Sequence, residues 1–239
     1  MNLQRIISSM HRAITDFNLI EDGDKIAIGL SGGKDSLLLT ACLGTYKKYS
    51  KTKFDLACFS VDAFGSFDGS KLDAFCKQFD IPFTLIPSEI GEVVFNIRKE
   101  KNPCSLCAKM RRGLLCSTAK KEGFNKLALA HNADDMIETF MMSMLRENRL
   151  NTMQPISYMS NTEITLIRPI IYCFEDQIKE ATKDFEILKN PCPANHKTER
   201  ENIKNKLKEI EKIFPDFKKK LFESLIHPER YNLLKKSEK

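Results

Sequence analysis

Lys25-Ile26-Ala27-Ile28-Gly29-Leu30-Ser31-Gly32-Gly33-Lys34-Asp35-Ser36 joins an apolar run to a glycine turn and the start of a helix. Lys25 to Leu30 is a short apolar run without polar alternation, the pattern of a strand buried on both faces. A glycine turn follows, and Asp35 to about Tyr49 reads as a helix. Two glycines let the backbone approach a ligand closely, and successive N–H groups there form an anion nest. The helix starting at Asp35 adds the positive end of its dipole. Lys34 supplies a point charge, and Ser31 and Ser36 supply hydroxyl donors. The stretch is not a G-x-x-x-x-G-K-[ST] loop, because Ile28 occupies the first glycine position and Asp35 that of the Ser or Thr. It is not a G-x-G-x-x-G dinucleotide turn either.

Outward from this turn, apolar strands alternate with helical periodicity. Strands are expected at Lys25 to Leu30, Phe54 to Val61, Ile81 to Ile86, Lys126 to His131 and Ile164 to Ile171. Helices are expected at the amphipathic opening (Leu3, Ile6, Met10, Ile14), at Ser70 to Phe79, Ser105 to Glu122 and Asp134 to Leu145. This alternation predicts an open, mostly parallel, Rossmann-like α/β sheet of five strands with helices on both faces. Pro169 puts the fifth strand near an edge or at its own end. From Asn195 onward the periodicity is only helical, broken at Pro215 and Pro228. The division expected is residues 1–190 as the nucleotide-type domain and residues 191–239 as a helical, basic extension packed on it.

Composition bounds the function. The chain has 239 residues, 42% hydrophobic and 29% charged, enough for one large α/β domain with a real core. No apolar run approaches the roughly 20 residues that cross a bilayer, and Met1 to Ile6 lacks the order of a signal peptide. A cytoplasmic protein without membrane partners is therefore expected. Of the 8 cysteines, Cys42, Cys58, Cys76 and Cys116 sit in apolar surroundings and read as core, and Cys173 reads either way. Cys104, Cys107 and Cys192 lie among Pro and polar residues and read as ligands. The net charge of +6 is concentrated at the end: residues 196–239 hold 13 Lys and Arg against 8 Asp and Glu. The run Lys218-Lys219-Lys220 fits either a solvated helical face or a footprint for RNA.

Two further constellations carry chemistry. Ala130-His131-Asn132-Ala133-Asp134-Asp135, with Glu138 and Thr139, falls at the carboxyl end of the fourth strand, where ligands sit in such sheets. Its acids are either helix caps or carboxylates for a Mg²⁺–nucleotide site. Cys104-Ser105-Leu106-Cys107 at a helix start admits a redox pair, a zinc knuckle or an iron–sulfur site. With Cys192 and His196 it makes a complete Cys₃His zinc set. Three thiolates without His196 would instead leave one iron of a [4Fe–4S] cluster open.

The Ser31–Ser36 stretch resembles the pyrophosphate-binding loop of the PP-loop ATP-pyrophosphatase (adenine nucleotide alpha hydrolase-like) superfamily. The resemblance implies that ATP adenylates a substrate oxygen and releases pyrophosphate. Ser31, Gly32, Gly33, Lys34 and Ser36 would cradle phosphate, Asp35 would help hold Mg²⁺, and Ala130 and His131 would line the nucleotide. Asp135, rather than Asp134, would act near metal and adenylate, with Lys34 and Asp35 in the catalytic set. Pro103-Cys104 to Gly113, the His131 stretch, Ile167 to Tyr172 and the late Pro191-Cys192 together resemble the tRNA 2-thiocytidine synthetase (TtcA) family over roughly residues 20 to 225. That family implies a [4Fe–4S] cluster on Cys104, Cys107 and Cys192, and ATP-dependent thiolation of a cytidine at C2 in the tRNA anticodon loop. A sulfur donor (a cysteine desulfurase or inorganic sulfide) and a homodimer go with it. Arg111 and Arg112 would meet tRNA phosphates or AMP, the alternative being a solvated helix face. The sequence departs from the pattern at Ala130, at Asn195 and at Arg146 to Arg149. Competing readings are a related enzyme making 2-thiouridine or joining lysine to cytidine, and a non-catalytic zinc and RNA-binding module. The first lacks the terminal C-x-x-C pairs usual in uridine thiolases, and the last leaves the glycine loop unexplained.

Overall fold

β1 (Lys25–Gly29) is hydrogen-bonded in parallel on both sides, to β2 (Asp55–Asp62) and to β4 (Lys126–Ala128). In the computed structural model, which describes residues 3–65, 67–99, 103–188 and 199–233, six strands run in the order β3-β2-β1-β4-β6-β5. β3 is Phe83–Pro87, β5 Ile156–Met159 and β6 Ile164–Ile167. The chain winds outward from β1 through β2 to β3, then returns to β4 on the other side of β1. The crevice outside the carboxyl ends of β1 and β4 is thus the switch point where such sheets bind ligands.

Alternation along the strands sends side chains to two covered faces. Ala27, Phe59, Leu127 and Leu166 join Cys116 and Ala119 of α4 (Pro103–Lys121) in one apolar layer. On the other face Thr40 of α2 (Lys34–Tyr49) lies 3.7 Å from Cys58 of β2. α2 packs there with α1 (Leu3–Asp16) and α6 (Glu175–Ala181). α1 buries Ile6, Met10, Ala13 and Ile14, the stripe its apolar spacing dictates. α3 (Ser70–Lys77) packs against β3. Cys42, Cys58, Cys76 and Cys116 are buried as expected, and Cys173 joins them.

The sheet therefore has the expected class and helices on both faces, with one strand more than the five expected. β5 is short, pairs antiparallel to β6, and leaves Ile156 and Tyr158 exposed. Those exposed apolar residues and the polar Ser157 hide its period from a sequence reading. β6 is consequently interior, and Pro169 lies just past its end. A π-helical segment at Glu92–Ile97 and α6 were likewise not expected. Under the amino ends of the strands, Lys126 pairs with the buried Asp24 at 2.7 Å.

The residues cluster in two compact units, residues 1–133 with 154–198 and residues 134–153 with 199–239. The second unit contains α5 (Ala133–Glu147) from Asp134 onward, α7 (Glu199–Ile213) and α8 (Phe217–Ile226). In it α7 packs on α8, and Leu207 and Phe222 are buried. Among the described residues no helix is long and apolar enough to cross a membrane.

Candidate nucleotide site

Gly32 has φ +80°, the left-handed conformation that costs a glycine nothing and other residues a good deal. That turn carries the chain from β1 to Gly33, where α2 begins with no side chain capping its amino end. The Ser36 hydroxyl shapes the turn: it accepts the Ser31 N–H at 3.1 Å and donates to the Gly33 carbonyl at 2.9 Å. The Ser31 hydroxyl lies 3.0 Å from it. The helix-end amides thus point outward from a loop held rigid by its own two serines, an arrangement suited to an anion.

Lys34 opens α2 with its ammonium 3.0 Å from Asp35 and 3.3 Å from Glu175 at the start of α6. Burial alone would lower the Lys34 pKa, but the two carboxylates outweigh it and the net shift is upward, so the amine stays charged. Asn132 donates to the other Asp35 oxygen at 3.5 Å. The sequence reading missed Glu175, and it placed Asn132 in the His131 stretch without a role. Glu175-Asp176 at a helix start was the available signal for the first, but the helix itself went unread.

At the carboxyl end of β4, His131 accepts a hydrogen bond at Nδ1 from Nε of Arg168, at 3.2 Å. Arg168 follows β6, is buried, and also donates to the Gln154 carbonyl. The loop after β2 is held by Asp62, whose carboxylate accepts the N–H groups of Phe64, Gly65 and Phe67 at 2.8 to 3.1 Å.

These elements enclose a cavity of about 340 Å³. Its lining includes Ser31, Gly33, Asp35 and Ser36 from the glycine loop and helix start, and Ala130 and His131 beyond β4. Ala108, Arg111, Arg112 and Leu115 of α4 form another wall. Cys104 and Cys107, on the first turn of that same helix, are half-buried. A second cavity of about 190 Å³ shares Ser31, Gly33, Val61 and Arg111 with the first and adds Asp62, Phe67 and Leu188. Leu188 donates its N–H to the Gly32 carbonyl at 3.0 Å. A Cβ on Gly32 would stand 3.1 Å from the Leu188 side chain. Cys192 and His196 lie outside the described residues. Among the described residues no group of three or more His, Cys, Asp or Glu could hold a metal ion.

In the second unit the acids after His131 meet basic residues of the C-terminal helices. Arg200 of α7 binds Asp135 at 2.7 Å, Thr139 at 3.2 Å and Glu138 at 3.5 Å. Burial first, then the Asp135 charge, pushes Glu138 up to about 7, against the pull of Arg200 and Lys204. Lys218 turns inward, its side chain 19% exposed, to Asp134 at 2.9 Å and Glu211 at 3.4 Å. Lys219 and Lys220 are exposed, and Lys219 pairs with Asp216. The run of three lysines is thus split between an internal ion pair and the surface. Arg200 was not singled out from the sequence, because its partners lie more than 60 residues away.

A family model for the PP-loop domain matches residues 3–211. The tRNA-cytidine(32) 2-sulfurtransferase of Janthinobacterium sp. (strain Marseille) is 36% identical over 227 residues, covering 93% of this chain and 72% of that protein. The tRNA-cytidine(32) 2-sulfurtransferase of Geobacter metallireducens is 32% identical over 237 residues, covering 97% of this chain and 92% of that protein. Among solved structures the fold is similar to that of the U34-tRNA thiolase NcsA from Methanococcus maripaludis with its [4Fe–4S] cluster. The TM-score is 0.72 at 23% identity, over 96% of this chain and 81% of that one.

Proposed function

This chain belongs to the PP-loop domain family and, within it, to the tRNA-cytidine 2-sulfurtransferases, and from that membership we propose that it replaces the C2 oxygen of cytidine 32 in tRNA by sulfur at the expense of ATP. The observation that carries the reading is one cavity walled by both the glycine loop and the helix that starts with Cys104 and Cys107.

The residues fit a triphosphate. The α2 amino end lacks a side-chain cap, and a Cβ at Gly33 would meet nothing nearer than Ser31 Oγ at 3.6 Å, so the cradle is open. Backbone amides of the loop and the charged Lys34 hold the β- and γ-phosphates. The C2 carbonyl oxygen of the base attacks the α-phosphorus, the α–β anhydride bond breaks, and pyrophosphate leaves. Lys34 and the α2 amino end stabilise the charge that builds on the leaving phosphate. A sulfide then adds at C2, and AMP departs with the former carbonyl oxygen. Asp35 would hold Mg²⁺, and with the family reading goes the role near metal and adenylate that the resemblance implies for Asp135. Arg111 and Arg112 face AMP or the tRNA backbone, and the exposed Lys219 and Lys220 contribute to the hold on tRNA.

Cys104 and Cys107 offer two sulfur donors three residues apart on one helix, and Cys192 supplies the third. These three thiolates would hold a [4Fe–4S] cluster, which would supply a binding place for an exogenous sulfur. The zinc alternative uses the same cysteines with His196. With the reading go a homodimer in the cytoplasm and a sulfur supply from a cysteine desulfurase or inorganic sulfide.

The test is metal and sulfide analysis of wild type and Cys192→Ala purified without oxygen, alongside thiolation of tRNA. The expected outcome is iron and labile sulfide with thiolation in wild type. Cys192→Ala loses all three while still binding ATP. One zinc and no sulfide in a colourless wild type would overturn the cluster, and thiolation retained in Cys192→Ala would overturn its role.

A further inference from the structure

The Gly32–Gly33 peptide joins two residues without a Cβ, so a flip of its plane meets less steric resistance than at any other link of the glycine loop. Such a flip decides what the loop offers. In a trans peptide the N–H and C=O point in opposite directions. One orientation therefore turns the Gly33 N–H to an anion, and the other turns the Gly32 carbonyl to it. The loop's serines fix the links on either side: Ser36 Oγ accepts the Ser31 N–H at 3.1 Å and donates to the Gly33 carbonyl at 2.9 Å. The carbonyl between them is held from outside the loop, where Gly32 accepts the Leu188 N–H at 3.0 Å. The Gly33 N–H is thereby turned the other way, to the side of Ser31 Oγ, which lies 3.4 Å off at the edge of hydrogen-bond range. Ser31 and Gly33 line both cavities beside the loop.

Leu188 is itself tied down. Phe185 donates its N–H to the Thr182 carbonyl at 3.1 Å, and its ring meets that of Phe75 of α3 at 5.5 Å between centroids. Glu186 pairs with Lys71 of the same helix. The arm that begins with Glu175 on Lys34 thus ends with Leu188 on Gly32. We propose that Leu188 is a positioning residue for phosphate binding: its backbone N–H locks the Gly32–Gly33 peptide with the Gly33 amide turned to the anion and the carbonyl turned away. The role rests on the reading of the cavity as a nucleotide site, and it deepens that reading. It also gives a second reason for glycine at position 32. At φ +80°, and with the Leu188 side chain 3.1 Å from where a Cβ would stand, another residue would push the lock open. Linkage makes the effect reciprocal, because an anion that prefers the locked loop must tighten the Leu188 bond.

The test uses the full chain with pyrophosphate as the probe. Leu188→Pro, which has no N–H, should bind pyrophosphate ~10- to 100-fold more weakly than wild type. Leu188→Ala keeps the N–H and should restore binding to within about 3-fold of wild type. In the ¹⁵N spectrum of glycine-labelled protein, the Gly33 resonance, identified by its loss in Gly33→Ala, should shift with pyrophosphate in wild type and Leu188→Ala. At the same concentration it should stay in place in Leu188→Pro. In wild type, saturating pyrophosphate should slow hydrogen exchange of the Leu188 amide about 10-fold. Equal affinity of the proline and alanine variants, or a Leu188 amide whose exchange pyrophosphate leaves unchanged, would overturn the inference and leave the proposed activity standing. A wild type that binds neither pyrophosphate nor ATP would overturn both. Should Leu188→Pro fail to fold, the wild-type exchange measurement decides alone.

Discussion

The glycine loop and the C-terminal helices are both basic stretches that a sequence reading sends towards anions, and the chain treats them in opposite ways. At the loop, backbone amides of an uncapped helix end face a cavity, and Lys34 stands beside them held by Asp35 and Glu175. In the helices, Arg200 and Lys218 are turned onto Asp135, Glu138 and Asp134, acids of the same unit. A cation paired inside the protein holds helices together, whereas a donor lining a cavity remains for a ligand. Net charge along a sequence counts both alike. Lys34 too has two carboxylates within 4 Å, so what sets the loop apart is that its own residues, Ser31, Gly33 and Ser36, line the cavity, and that is a property of packing.

Removing the loop's ammonium group should have the greatest consequence. Lys34→Met should lower tRNA-dependent pyrophosphate release about 100- to 1,000-fold, the cost of one donor aimed at developing charge, while the loss of its pairs to Asp35 and Glu175 costs about 1–2 kcal/mol of stability. Release that falls only in proportion to the folded fraction would place Lys34 with the structural cations.

Next is the pH response of the helical side. Burial, with Asp135 second, raises Glu138 from an ordinary 4.5 to about 7. The folded protein therefore holds this proton more tightly than the unfolded chain. Its contribution to stability is complete below about pH 4.5 and is lost as the pH rises through about 7. Glu138→Gln should remove that slope, and at pH 8 it should unfold at a higher urea concentration than wild type, by up to about 3 kcal/mol. Identical stability profiles of the two proteins between pH 4 and 8 (about the range of the shift) would show that Arg200 keeps Glu138 ionised throughout.

The smallest effects separate adjacent lysines. Lys218→Met removes one partner of the buried Asp134 and should cost about 1–2 kcal/mol of stability, with little change in the salt dependence of tRNA binding. Lys219→Met and Lys220→Met should stay within about 0.5 kcal/mol of wild type, while the double variant flattens the salt slope. A flattened slope for Lys218→Met with unchanged stability would return Lys218 to the RNA-facing set.

The strand, turn and helix from Lys25 to Tyr49 were legible because their signals are local. An apolar run, two glycines and an acidic helix start within 25 residues leave few other conformations. β2, β3, β4 and α1 to α5 were found for the same reason. β5 was not, because at an exposed sheet edge its Ile156 and Tyr158 face water and its alternation carries no polar contrast. β6 ends at Ile167, short of the expected Ile171, because Arg168 turns to Gln154 and His131 and Pro169 follows. Glu175 and Arg200 were missed because each acts on a residue distant in sequence, Lys34 and Asp135 respectively.

Readable from the residues in order were the parallel α/β class, the glycine turn between β1 and α2, the order of the motifs and the family resemblance they carry. These depend on short-range constraints of φ, hydrophobic period and helix dipole. The packing of distant segments alone settled which cations pair with which carboxylates, and that the cysteine helix walls the same cavity as the glycine loop. Those outcomes depend on distances of a few ångströms between residues tens of positions apart, set by the register of neighbouring strands and the packing of helices upon them.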